Sequence, residues 1–466
     1  MMKTLKKLIY ICLIVYAIFY VVEAIIIISY PYQISYPEGF ILNQAHLISK
    51  GKSIYQTINE FPYIVANYPP LYCYLCAIFV KLFGISFFSG RLITFFSVLG
   101  IAFLIYKIIL EYVERDNAII GSLLFISSSY IFKNSPFMRV DMLGLFFCFM
   151  GTYLFISQKK LILPVIFFTA ALYTKQTFFA APLAVALSLL QSDRKRAAHF
   201  IIGICLVTGL FFLLINQLTN GEFFLHNFVY NLNIFLFKQA IKHYVWALQN
   251  HAILILLSII YIFYSVAEKK YSVLLIYFTL SCIIAISVGK IGANMNYFFE
   301  MIALSCVLTG LSLGKLQKEM NEKVYNYFST SAILVQLILF LHMPYLTEPS
   351  ATKLRGEDVR RVCNIISNTE GNIISEDAGL LVLSNKSVLF QPFELTQLAN
   401  QKIWSQGVFI HNIELKLFSL IVLSFDINCQ VDEERLTPEM VQAIKENYYI
   451  KEKIGAYYLY YPNPDN

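Results

Sequence analysis

Apolar runs of near membrane-spanning length, broken by short polar connections, fill this chain from its start to about Pro344. In hydrocarbon every backbone N–H and C=O must find a partner inside the protein, so continuous runs of this kind fold as helices. The rest of the composition agrees. Only 14% of the residues are charged and 58% are hydrophobic, against roughly 25% charged in soluble domains. The chain reads as a polytopic α-helical membrane protein. Its net charge of +7 is no nucleic-acid signal, because the Lys and Arg residues stand in short clusters at the ends of apolar runs, where they orient membrane helices.

Residues 8–30 follow Lys3, Lys6 and Lys7 and are long enough to span, and no small-residue cleavage site comes after them. They read as an uncleaved first span with the N-terminus in the cytoplasm. Further spans are expected at 88–107, 118–132, 141–157, 161–174, 177–190, 199–217, 246–266, 271–288, 297–313 and 326–343. Residues 69–83 are apolar but short and contain Lys81. If they crossed, the N-terminal basic cluster and the basic connections at 111–117, 157–160, 192–196, 268–270 and 315–323 would lie on opposite sides. They therefore read as an interfacial or re-entrant helix, which leaves about eleven spans.

Charged residues become frequent beyond about Glu348, where strand-like stretches at 379–383 and 387–390 alternate with a helical one at 437–447. The expected organisation is a transmembrane module over 1–345, with a long first outer loop at 31–87, and a small α+β extracytoplasmic domain over 346–466. Amphipathic patterning at 40–53 and at 220–244, the latter with Lys238 and Lys242, suits helices lying in the interface.

This topology puts the unusual polar residues on one side: Glu38, Tyr68-Pro69-Pro70, Arg91, Arg139-Val140-Asp141, Lys175-Gln176 and Asn294-Met295-Asn296-Tyr297. Each also has a structural reading. Glu38 fits a solvated turn, Arg139 and Asp141 an ion pair at a span entrance, Lys175 a snorkelling helix end, Arg91 a span anchor, and Asn296 and Tyr297 an aromatic belt. The nine cysteines lie mostly in apolar runs. Cys363 and Cys429 stand in the polar region and are candidates to pair if it is extracytoplasmic. His46, His226, His243 and His251 have no ligand spacing.

An acid after the first span, a later Tyr68-Pro69-Pro70-Leu71-Tyr72, Gly90-Arg91-Leu92, Arg139-Val140-Asp141 and Lys175-Gln176-Thr177 resemble the GT-C glycosyltransferases. More narrowly, they resemble the protein O-mannosyltransferase and aminoarabinose transferase superfamily. The likeness covers residues 1–190 and, more loosely, 289–300. The stretch Ile374-Ser375-Glu376-Asp377 and the Tyr-rich 457–461 are similar to the outer domain of such enzymes. Two features depart from the pattern: Tyr68 stands where His or Lys often precedes Pro-Pro, and Glu38 has no second acid beside it.

The resemblance implies inverting transfer of a sugar from a polyprenyl-phosphate donor to an acceptor lipid, glycan or protein on the outer face of the plasma membrane. It further implies Glu38 as general base, Asp141 as a second catalytic acid, Arg139, Lys175 and Arg91 on the donor phosphate, and Tyr68, Gln176, Asn296 and Tyr297 in the substrate cavity. The metal site is unknown, and a divalent metal stays open because members of the class differ. The rival readings are a transporter or flippase of lipid-linked sugars and a non-catalytic membrane assembly protein.

Overall fold

The computed structural model describes residues 2–158, 160–341, 348–429 and 433–464; the expected boundary at 345–346 lies outside them. Five of the described helices are long and apolar enough to cross a membrane: Lys7–Ser29, Phe88–Leu110, Arg194–Leu218, Met295–Glu319 and Glu322–Leu341. Shorter apolar helices occupy Leu71–Phe83, Asp141–Ser157, Ile162–Thr174, Ala180–Ser192 and Val273–Gly289. A helix of 13 residues is about 20 Å long at 1.5 Å per residue, less than the roughly 30 Å of a hydrocarbon core. Lys175, in the turn joining Ile162–Thr174 to Ala180–Ser192, is buried.

Two expected spans take a different form. The segment 118–132 divides at Ser128 between Arg115–Ser127 and Ser129–Asn134. The segment expected at 246–266 breaks at His251, and Phe237–Asn250 lies at 87° to Ala252–Ala267. The first of these two helices is amphipathic as the sequence indicated. Phe237, Ile241 and Val245 form an exposed stripe, while Lys238 and Lys242 turn toward a cavity on the other side.

The C-terminal region carries one four-stranded sheet. Its strands are β1 (Asn372–Ser375), β2 (Phe418–Leu423), β3 (Tyr448–Ile454) and β4 (Tyr457–Pro462), in the order β1-β2-β4-β3. β1 and β2 are parallel, and β4 runs antiparallel to both β2 and β3. The stretch expected as a strand at 379–383 is instead the helix Ala378–Leu383. A short apolar run is compatible with either form, and this one is buried almost all round, against the helix Tyr36–Ser49 and the sheet. Residues 387–390 join no ladder; Phe390 makes a single bridge to Tyr63.

The sheet does not close a core by itself. One cluster joins Phe40, Ile41, Leu42 and Tyr72 of the first loop to Val362, Leu381, Leu420 and Val422. A second joins Ile58, Tyr63 and Val65 to Trp404, Phe409, Ile421 and Leu423. Backbone bonds follow the same course: Tyr63 N–H donates to Leu389, and Gln391 N–H donates back to Tyr63. The glycine of Tyr36-Pro37-Glu38-Gly39 is required here, since a Cβ on Gly39 would stand 2.4 Å from the Gly379 nitrogen. The first loop is therefore a strap running through the C-terminal region, and Cys363 and Cys429 are both free thiols within it.

Candidate active site

Local sequence explains where Glu38 goes. Pro37 occupies the first turn of the helix Tyr36–Ser49, and Glu38, in that same turn, folds back to accept from the N–H of Ser35 at 3.1 Å and of Ile34 at 2.9 Å. Arg91, near the start of Phe88–Leu110, meets it with Nε at 2.8 Å and Nη2 at 2.9 Å. The Met138 N–H completes the set at 2.8 Å. Arg91 spends its remaining donors on the carbonyls of Ile27, Tyr30 and Tyr32 at 2.6–2.7 Å, at and just beyond the end of the first helix, where positive charge is favoured.

Both side chains are fully buried. Burial works to raise the Glu38 carboxyl, but Arg91 and the backbone donors outweigh it and hold the group below the usual carboxylate range. A carboxylate that accepts five hydrogen bonds, already ionised and sealed from solvent, has no lone pair to offer a substrate. In this structure Glu38 and Arg91, expected as base and on the phosphate, fasten the first loop to the helices beneath it.

A second ionic cluster has a different character. Asp141 begins the helix Asp141–Ser157, where a negative charge is favoured, and Lys175 follows the last turn of Ile162–Thr174, where a positive one is. Lys175 Nζ donates to Asp141 Oδ1 at 2.7 Å, and Asn296 Nδ2 donates to the same oxygen at 2.9 Å. Arg139 Nε stands 3.5 Å from Oδ2. Lys175 Nζ also lies 4.7 Å from the Tyr297 ring centroid and 5.9 Å from that of Tyr68. Burial alone would lower Lys175, but Asp141 and the two phenols reverse the sign and keep it firmly protonated. Burial pushes the Tyr68 hydroxyl up to about 12, so it remains a neutral donor.

Above this cluster opens a cavity of about 660 Å³. Tyr68, Arg139, Asn296 and Tyr297 line it, while Asp141 and Lys175 sit behind that wall. Gln176 does not reach it, contrary to expectation. Its amide donates to the carbonyls of Asn67 and Asn227 at 3.0 Å each, tying the strap to the segment after Glu222. His226 does similar work: its Nδ1 accepts from Ala66 N–H at 2.9 Å and its Nε2 contacts Gln56 O at 2.8 Å. Burial lowers it to about 4, so it stays neutral.

The cavity also gathers side chains that the sequence did not single out as site residues. Lys238 and Lys242 come from the bent helix, Lys290 and Asn294 from the loop before Asn296, and Tyr36 from the strap. Gln391, Phe393, Glu394, Glu434 and Arg435 come from the C-terminal region. Arg435 lies 3.6 Å from the Tyr36 ring centroid and 5.5 Å from that of Phe393. Gly292, at φ +80°, lets the loop press on Phe393, since a Cβ there would meet its ring at 2.3 Å. No group of three or more His, Cys, Asp or Glu placed to hold a metal occurs among the described residues.

Comparison with known proteins agrees with the superfamily resemblance. Residues 67–220 match the model of the dolichyl-phosphate-mannose-protein mannosyltransferases, a stretch that contains Tyr68, Arg139, Asp141 and Lys175. The fold is similar to that of ArnT from Cupriavidus metallidurans bound to undecaprenyl phosphate. That likeness has a TM-score of 0.66 and 12% identity, over 96% of this chain and 97% of that one. It is also similar to the oligosaccharyltransferase AglB from Archaeoglobus fulgidus in complex with an inhibitory peptide and a dolichol-phosphate. There the TM-score is 0.52 and the identity 12%, over 94% of this chain and 73% of that one. An uncharacterized protein of Aquifex aeolicus is 32% identical over 119 residues, a match spanning 23% of this chain and 29% of that relative. The chain thus has the fold of the GT-C glycosyltransferases.

Proposed function

We propose that this chain is an integral membrane glycosyltransferase of the GT-C type, moving a sugar from a polyprenyl-phosphate donor to an acceptor with inversion at the anomeric carbon. The observation that carries this reading is the Arg139–Asp141–Lys175–Asn296 cluster set against a basic cavity. A departing lipid phosphate needs cations fixed in place before the bond breaks. Arg139 faces the cavity and offers charge-assisted hydrogen bonds to phosphate oxygens, and Lys238, Lys242 and Lys290 add positive charge around the same space. Asp141 orients Arg139, while Lys175 and Asn296 hold Asp141. Lys175 acts from behind the Tyr68–Tyr297 wall, raising the local positive potential without being exposed to bulk water.

The basic connections at 111–117, 157–160, 192–196, 268–270 and 315–323 support a cytoplasmic N-terminus, with the cavity and the C-terminal domain on the extracytoplasmic side of the plasma membrane. The test uses purified protein, a radiolabelled undecaprenyl-phosphate sugar and a membrane acceptor fraction from cells lacking the gene. The expected result is acceptor-dependent release of free undecaprenyl phosphate. Movement of intact sugar-lipid between leaflets, with no bond cleaved, would sink the reading.

A further inference from the structure

The strap helix Tyr36–Ser49 is a wall with two sides. Tyr36, Phe40 and Gln44 border the cavity already described, whereas Asn43, His46 and Leu47 border a second one of about 270 Å³. Phe61, Pro62 and Ile64 of the strap and residues 385–389 of the C-terminal region complete it. Three lysines, Lys50, Lys52 and Lys386, line this second space, and no Asp or Glu does.

Two of those lysines follow from local structure. The helix closes at Gly51, with the Lys52 N–H donating back to the Leu47 carbonyl at 2.9 Å, and positive charge is favoured at such an end. A helix end does not account for Lys386, which arrives from the C-terminal region with Nζ held on the Thr369 carbonyl at 2.7 Å. Nor does it account for Asn43. That side chain is only 6% exposed, borders the cavity, and makes no hydrogen bond among the described residues. A buried amide left unpaired costs about 1–3 kcal/mol. His46 makes none either, and its Nδ1 is sealed within the protein, which leaves Nε2 to meet the cavity. Burial, then Lys50 and Lys52, hold this ring below the ordinary histidine range, so it stays neutral.

The chemistry of the wall selects a ligand. Lysine presents a compact point charge suited to phosphate oxygens, and no arginine fork is present to grip a planar carboxylate. An amide and a neutral imidazole can each donate to and accept from hydroxyls. Phe61 adds an aromatic ring for the apolar face of a sugar. We propose that this second cavity binds a phosphorylated sugar, with its phosphate on Lys50, Lys52 and Lys386 and its hydroxyls on Asn43 and His46. The site is separate from the candidate active site and stands whether or not the chain transfers sugar. The ligand's source is either a free sugar phosphate or the headgroup of a lipid.

The experiment titrates the full chain, in phosphatidylcholine nanodiscs at about 0.15 M salt, with glucose-6-phosphate, inorganic phosphate and glucose. Glucose-6-phosphate is expected to saturate one site and to bind about tenfold or more tighter than either fragment. Lys50→Met with Lys52→Met should weaken it about tenfold or more. Both lysines are exposed, so melting temperature and undecaprenyl-phosphate binding should not change. Asn43→Leu should weaken it as well; if that variant does not fold, the lysine pair carries the test. Lys238→Met with Lys242→Met, in the first cavity, should leave glucose-6-phosphate binding as it is. Nanodiscs containing phosphatidylinositol phosphate separate the sources: loss of the glucose-6-phosphate signal there marks a lipid-borne ligand at this site, and an unchanged signal marks a free one. Three results overturn the proposal: no saturable binding of glucose-6-phosphate, equal affinity for inorganic phosphate, or a loss in the Lys238–Lys242 variant in place of the Lys50–Lys52 one.

Discussion

Two buried ionic clusters, Glu38–Arg91 and Arg139–Asp141–Lys175, differ in what is left over. In the Glu38–Arg91 pair every donor of the guanidinium and both carboxylate oxygens are engaged, and neither side chain has any exposure. In the Arg139–Asp141–Lys175 cluster Arg139 retains 15% side-chain exposure and borders a cavity. A conspicuous charge beside a membrane span therefore does not by itself identify chemistry. What separates a fastener from a site is whether any hydrogen-bonding capacity faces a space that a substrate can enter.

Truncating one member of a pair has the largest expected effect. Arg91→Ala leaves a buried carboxylate without its cation and should cost about 3–5 kcal/mol of stability, read by thermal or denaturant unfolding in detergent. Joint replacement separates the clusters further. Asp141→Asn with Lys175→Met removes both charges of the second pair, so stability should change by no more than about 1 kcal/mol while transfer falls about a hundredfold. Glu38→Gln with Arg91→Met should stay strongly destabilised, because Arg91 also serves three carbonyls and Glu38 three backbone N–H groups. Equal stability losses in the two double variants would remove the distinction.

Single substitutions at the cavity have smaller effects. Arg139→Gln should weaken undecaprenyl-phosphate binding roughly tenfold, the value of one charge-assisted hydrogen bond, and leave the melting temperature nearly unchanged; titration of the lipid phosphate into nanodiscs reads this. Acid should act through the first cluster. The Glu38 carboxyl is held below its ordinary 4.5, so its contribution to stability is complete above that pH and is lost as pH falls through the lower folded-state value. Melting temperature should drop below about pH 4.5, and Glu38→Gln should remove the part of that slope due to this group.

Much of this arrangement was legible in the sequence. Tyr68, Arg139, Asp141, Lys175, Asn296 and Tyr297 span more than two hundred residues yet meet in one cluster, four of them on the cavity wall and Asp141 and Lys175 behind it. The topology had placed them on one face, and Asp141 and Lys175 each sit at a helix end where charge and dipole agree. Two kinds of information were hidden. Hydrogen-bond saturation depends on which backbone groups arrive from elsewhere, so the sequence could not show that Ile34, Ser35 and Met138 all donate to Glu38. The contribution of Glu394, Arg435 and Phe393 depends on the strap threading the C-terminal region, and no periodicity reports that. The helix at 378–383 was obscured for a simpler reason: burial on all sides erases the alternation that separates strand from helix.

The strap also imposes an order on biosynthesis. Its partners for Glu38 lie within a hundred positions, at Arg91 and Met138, so that anchor can form while most of the chain is still being made. Its other partners, Asp377 for Gln33, Gln391 for Val65 and the Ile58 carbonyl's donor Trp404, come more than three hundred positions later. Until the ribosome reaches them, the apolar residues of the strap wait at the membrane without their cover. A chain stopped before residue 372 would keep its anchored loop but lack the side chains that cover the strap and complete the cavity wall.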